Sequence, residues 1–206
     1  MSNPHLLIVL TGGPCGGKTT LIAELSNDPA WAGRFSALPE AIQTLRYSGL
    51  SLDEKPFQRA MVHMQLAMED GLMRAFDPYD RRLIICHRGA LDPLAYWLGR
   101  GWDEQEFFAY TGTTRQSLCA RYTAVLHLVT AADGATAHYA RWPDNPRSEQ
   151  PEDAIRLDKL LQRVWGEHPC YYRLDNIGRD WEDKSQAACE ILERYWHGFT
   201  VRGSTC

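Results

Sequence analysis

Eight residues constrain this chain more than all the others: Gly12-Gly13-Pro14-Cys15-Gly16-Gly17-Lys18-Thr19, set directly behind the apolar run Leu6 to Leu10. Glycine adopts backbone conformations that other residues avoid, so such a run lets successive N–H groups turn inward around one centre. A helix starting at Gly17 or Lys18 and reaching about Leu25 would add the positive end of its dipole at the same point. The spacing fits the Walker-A pattern G-x-x-x-x-G-K-[ST], and the strand-to-helix setting is the one its mechanism requires. It implies a cradle for the phosphates of ATP, or of GTP. Gly12, Gly13, Pro14, Cys15, Gly16 and Gly17 would form its wall, with Lys18 on the terminal phosphates, Thr19 offering its hydroxyl to magnesium and Thr20 following at the helix start. The bland alternative is a glycine-rich turn without a ligand. Cys15 reads as a space-filling residue, or as an exposed, oxidation-sensitive thiol.

Around this loop, short apolar runs alternate with stretches of helical period, the signature of a parallel sheet connected by helices. Strands are expected at His5 to Thr11, Phe35 to Pro39, Arg82 to Cys86, Ala124 to Thr130 and Cys170 to Leu174. A long helix should cover roughly Glu54 to Phe76, with Phe57, Met61, Met64 and Met68 as a packing stripe. Asp92 before Pro93 reads as an N-cap with proline at the first helical position, and Asp103 with Glu106 as a second capped start. Leu157, Leu160, Leu161, Val164 and Trp165, and later Ala188, Ile191, Leu192 and Tyr195, recur at helical spacing. The stretch 131–150 has no clean period and carries prolines and Gly134, which marks it as a loop or flap.

Composition narrows the class. A 206-residue chain with 44% apolar and 23% charged residues can bury a core without staples, and nothing in it marks a domain break. The six cysteines form no C-x-x-C pair, so reduced thiols in a cytoplasmic protein fit better than a disulfide framework or zinc site. No run approaches a membrane span, and a net charge of −4 gives no general attraction to nucleic acid. No oligomeric state follows from these features.

Beyond the glycine loop the chain resembles the AAA-like P-loop proteins that share their core with deoxynucleoside, nucleoside-monophosphate and nicotinamide riboside kinases. The resemblance runs through Ala37-Leu38-Pro39-Glu40-Ala41, a strand ending in glutamate; through Phe57-Gln58, Gln65 and Glu69; and through Ile84-Ile85-Cys86-His87-Arg88-Gly89-Ala90-Leu91-Asp92, similar to an acidic-R-G-x-x-D turn. It continues through Arg147 with Glu149, Ala154, Leu157 with Asp158, Trp165, His168 with Pro169, and Asp175 with Asn176. It implies a three-layer P-loop fold, a five-stranded parallel sheet in the kinase-like order, with a lid at approximately 131–150 in one domain spanning 1–206. It departs at His87, where relatives usually carry the acid that holds magnesium through water. A neutral imidazole supplies no negative charge, so the metal would lean on Thr19, the phosphates and Glu40 or Asp92.

By that resemblance Glu40 is a general base for the attacking hydroxyl, or a binder of the acceptor or magnesium. Arg88 would clamp a phosphoryl oxygen or the acceptor, unless it is a structural ion pair. Arg141 and Arg147 would close over the triphosphate from the lid, and Asn176 would meet the nucleotide base, although an Asx turn explains it equally well. Gln58, Gln65 and Glu69 share one helical face; Gln65 is the acceptor contact of the three, and solvent exposure is the cheaper explanation for each. Two functions are therefore expected to compete: a magnesium- and ATP-dependent kinase for a small, nucleoside-like acceptor, and a regulatory ATP- or GTP-binding switch with a protein or lipid partner.

Overall fold

Strand β1 (His5–Thr11) is apolar on both sides and occupies the centre of a five-stranded, all-parallel sheet of order β2-β3-β1-β4-β5. The computed structural model describes residues 5–77, 79–139, 150–178 and 180–202. Its other elements are α1 (Lys18–Asn27), β2 (Phe35–Leu38), α2 (Ile42–Leu45), α3 (Lys55–Ala75), β3 (Arg82–His87), α4 (Asp92–Gly99), α5 (Glu104–Thr111), α6 (Arg115–Cys119), β4 (Ala124–Leu128), α7 (Pro151–Trp165), β5 (Tyr171–Leu174) and α8 (Trp181–Arg202). Strand alternation sorts the core into two layers. Leu7 and Val9 join Ile84, Cys86 and Val125 on the side covered by Val62, Leu94, Leu161 and Trp165. Ile8 and Leu10 join Ile85, Leu126 and Leu128 on the side covered by Leu21, Leu25, Ala188, Ile191 and Leu192. The architecture is the three-layer P-loop sandwich in kinase-like order.

The strands differ from their expected bounds for local reasons. β2 stops at Leu38 because Pro39 has no N–H to give the ladder. β3 runs one residue further, since His87 still pairs with Leu10. β4 stops at Leu128: the Thr130 amide turns away to Asp158 (3.1 Å). β5 begins at Tyr171, although the Cys170 carbonyl still accepts from the Val125 amide. Asp103 does cap α5, accepting from the Glu106 amide at 3.0 Å. Asp92 does not cap α4: Leu91 holds that position and Asp92 is the first helical residue, its carboxylate turned into the protein. Phe57 and Met61 pack against Ala41, Ile42 and Leu45, with Met64 and Met68 at the edge. Of the lid expected at 131–150, a single 3-10 turn spans Thr136–His138, while 140–149, with Arg141, Arg147 and Glu149, lie outside the described residues.

Asp158 fastens α7 to the sheet. Its buried carboxylate accepts from the Gly13 amide (2.6 Å), the Thr130 amide (3.1 Å) and Gln162 (2.8 Å), and it meets His127 Nε2 of β4 at 3.1 Å from each oxygen. Burial opposes its charge, but the bonds from His127, Gly13 and Gln162 outweigh that and hold it down at about 2. A depressed carboxylate contributes stability that is present above its unfolded value and lost as the pH falls through the folded one. Urea unfolding at pH 5 and pH 2.5 should therefore show a loss of about 2 kcal/mol through this group, and Asp158→Asn should flatten that acid limb.

Two glycines of opposite surroundings test the packing. A methyl at Gly71, within α3, would meet nothing within 4 Å, whereas one at Gly89 would lie 2.8 Å from the Trp165 ring and 2.9 Å from Val9. Gly71→Ala should stabilise the chain by about 0.5–1 kcal/mol, and Gly89→Ala should destabilise it by about 1–3 kcal/mol, both read from denaturant midpoints.

Candidate functional site

The glycine loop closes on itself. Gly12 (φ 124°) and Gly17 (φ 96°) hold left-handed conformations, and a Cβ at Gly12 would stand 2.0 Å from the Leu128 carbonyl oxygen, so the loop can lie against the end of β4 only with glycine there. Cys15 sits exposed at the tip with φ 53°. Thr130 donates to the Pro14 carbonyl (2.5 Å) and the Ala131 amide to that of Cys15 (3.3 Å), bracing the loop from the β4 side. Helix α1 starts with no side-chain cap, so its first N–H groups face the loop.

Lys18 is buried and donates from Nζ to the Gly12 and Gly13 carbonyls, both at 2.8 Å. Burial, with Arg88 nearby, lowers it to about 7. Thr19 stands beside it with its hydroxyl 3.1 Å from His87 Nε2. Burial and the Lys18 charge push His87 down to about 4, so the imidazole is neutral at physiological pH. Thr20 is exposed on the next position of α1.

Beside the loop is a buried charge cluster. Arg88, left-handed at φ 75°, donates from Nε to Glu40 (2.6 Å) and from a terminal nitrogen to Asp92 (3.2 Å) and the Gly12 carbonyl (3.4 Å). Asp92 also accepts from the Thr11 hydroxyl (3.0 and 3.1 Å) and the Trp165 indole (2.6 Å). The ion pair entertained for Arg88 is thus real, and it leaves the guanidinium facing a cavity of about 500 Å³ between α3, α4 and α7.

That cavity has an apolar wall of Phe57, Met61, Leu157 and Leu160 and polar groups from Gln58, Gln65, Arg88 and Asp92. Solvent exposure does not explain the glutamines: Gln58, Gln65 and Glu69 are all buried. Glu69 accepts from Gln65 (2.9 Å), the Tyr122 hydroxyl (2.7 Å) and Arg121 (3.0 Å), which fixes the Gln65 carboxamide at the cavity; burial raises Glu69 against those bonds. Asn176 stands elsewhere, donating to the Thr130 and Asp133 carbonyls (2.8 and 2.7 Å) and accepting from Lys184 (2.9 Å), a brace for the segment after β4.

Sequence reasoning missed the cavity rim, where Tyr96, Asp53 with Arg100 and Asp153 with Arg156 stand. Arg100 and Asp53 carry no motif, and only the fold brings them together. It also gave Asp158 no part at the loop; its place one turn before Gln162 and far from Gly13 offered no local signal. Among the described residues, no group of three His, Cys, Asp or Glu side chains could hold a metal unaided, and no helix is long and apolar enough to cross a membrane.

None of the curated proteins matches the chain in sequence. Similar solved structures include deoxyadenosine kinase from M. mycoides with products dCMP and a flexible dCDP bound, at a TM-score of 0.63 and 14% identity, covering 92% of this chain and 100% of that one. The same kinase with bound dATP gives 0.54 at 12% identity (91% and 100%), and with bound dCTP 0.52 at 14% (92% and 100%). At such identities the likeness establishes the P-loop kinase-like fold. A family model described as AAA domain matches residues 7–184, from β1 to the start of α8, and the chain belongs to that family.

Proposed function

We propose that the chain is a phosphotransferase that moves the terminal phosphoryl group of ATP, or of GTP, to a small acceptor, nucleoside-like in size and polarity, held in the cavity between α3, α4 and α7. One observation carries this reading: Arg88 touches the phosphate loop at Gly12 and lines the cavity at the same time, so a single guanidinium spans donor and acceptor sites. A switch has no need of a walled, 500 Å³ chamber lined by the same arginine that touches its phosphate loop. The deoxyadenosine kinase of like fold supports the same class of reaction.

In this mechanism Gly12 to Gly17 and the α1 N-terminus cradle the triphosphate, and Lys18 exchanges its two loop carbonyls for phosphate oxygens. The acceptor oxygen attacks the terminal phosphorus, its proton passes to Glu40, and the bond from that phosphorus to the bridging oxygen breaks, leaving the diphosphate. Arg88 neutralises charge on the moving group. The residues fit a dication carried in by the nucleotide: Thr19 would offer one oxygen, with phosphate oxygens and water among the other ligands. Such an ion, magnesium by the resemblance, lowers the charge on the triphosphate. By the resemblance, Arg141 and Arg147, which lie outside the described residues, would close over the triphosphate. The competing reading, a nucleotide-state switch, draws on the neutral His87 at the position where the resemblance implies an acid.

Incubation with ATP, magnesium and a panel of nucleosides and related alcohols, followed by detection of the phosphorylated acceptor, tests the proposal. Tight nucleotide binding with no phosphorylated product from any acceptor would favour the switch. Lys18→Ala should lower turnover by at least about 10²-fold while circular dichroism and the unfolding midpoint stay near wild type, because the ammonium touches loop carbonyls and no apolar core. Glu40→Gln should lower kcat by about 10²-fold and alter acceptor KM less, since Arg88 keeps Asp92 as a partner; single-turnover assays separate the two effects.

A further inference from the structure

We propose that His87 is a direct ligand of the dication that accompanies the triphosphate, and that the site therefore selects a first-row transition dication over magnesium. The inference rests on the triphosphate-binding reading of the loop.

Geometry carries it. Two neighbouring ligands of an octahedral dication at about 2.1 Å lie about 3.0 Å apart, and Thr19 Oγ1 and His87 Nε2 stand 3.1 Å apart at the exit of the phosphate loop. The imidazole is not free to serve elsewhere. It sits at the last residue of β3, paired in register with Leu10, and its Nδ1 is buried without a partner among the described residues, which leaves Nε2 as its one working nitrogen. A proton on Nδ1 then puts the Nε2 lone pair on the side of Thr19.

The neighbouring carboxylates are committed. Asp92 already takes Thr11, Trp165 and Arg88, and Glu40 is paired with Arg88 at 2.6 Å. The site thus offers one hydroxyl oxygen and one imidazole nitrogen, to be completed by phosphate oxygens and water. Magnesium prefers an all-oxygen shell and sheds water reluctantly, whereas cobalt, nickel and zinc take imidazole readily.

Cobalt(II) with β,γ-methylene-ATP is a suitable probe for the full chain. Proton NMR should show an exchangeable imidazole N–H resonance shifted far downfield by the metal, absent in His87→Gln. Calorimetry should show the analogue binding at least about tenfold more tightly with cobalt than with magnesium, with the ratio falling about tenfold in His87→Asp, whose folding is checked by its unfolding transition. Tight binding with magnesium, no shifted resonance and a cobalt-to-magnesium ratio that His87→Asp and His87→Gln leave unchanged would overturn the inference and leave the phosphotransferase reading standing. Failure of the analogue to bind with either cation would overturn both.

Discussion

A buried carboxylate, Asp92, holds the working end of this protein together. It receives the Thr11 hydroxyl from the end of β1, the Arg88 guanidinium from the turn after β3 and the Trp165 indole from α7. Removing a carboxylate from water costs several kcal/mol unless donors replace the lost hydration, so those three donors are as necessary to Asp92 as it is to them. The consequence is geometric. α7 is pinned over the carboxyl ends of the central strands, Gly89 is forced to lack a side chain beneath Trp165, and Arg88, Gly89 and Asp92 form a braced part of the cavity wall. Arg88 accepts a left-handed backbone at φ 75°, a conformation that costs a non-glycine residue about 1 kcal/mol, and from that turn its fork reaches Glu40 and Gly12 together.

The elements legible in sequence were those whose cause is local. Apolar runs of five to seven residues became strands, within about two residues at each end, because a strand covered on both faces needs no alternation. The Gly12–Thr19 loop was legible for the same reason: glycine, lysine and threonine at that spacing act through their own backbone and reach. Asp92 was misread as a cap because Asp-Pro is a helix-start signal whatever lies across the fold. Trp165 and Thr11, 73 and 81 residues away, drew the carboxylate inward instead. Likewise Gln65 and Glu69 look like a wet helical face until Tyr122 and Arg121, more than 50 residues on, supply the bonds that let them be buried.

Every guanidinium at the cavity has a carboxylate partner. Arg88 faces Glu40 and Asp92, Arg100 faces Asp53 (2.5 Å), and Arg156 faces Asp153 (2.9 Å). An acceptor that already carried a phosphate would have to compete with a carboxylate for each guanidinium. A neutral molecule with a hydroxyl directed at Arg88, behind which Glu40 lies, amide-like edges for Gln58 and Gln65 and an apolar body against Phe57, Met61 and Leu157 would leave every pair in place. Within the proposed reaction, this favours hydroxyl-bearing acceptors over phosphorylated ones. The two rim pairs are the more exposed ones, so they would cost least to rearrange if an anionic group did enter.

The phosphate loop answers the same question of charge differently. Lys18 has no carboxylate partner among the described residues; it donates to the Gly12 and Gly13 carbonyls, and burial with Arg88 nearby holds it down at about 7. A cation so placed is weakly satisfied, and any polyanion that reaches the loop gives it what the protein withholds. The carbonyls that occupy it meanwhile keep the loop in shape, so little ordering has to accompany binding. A carboxylate at position 87 would have supplied part of that missing negative charge and weakened the pull on phosphate. With imidazole there, the attraction between Lys18 and an incoming triphosphate is left undiluted, and the negative charge that the site lacks is brought by the ligand.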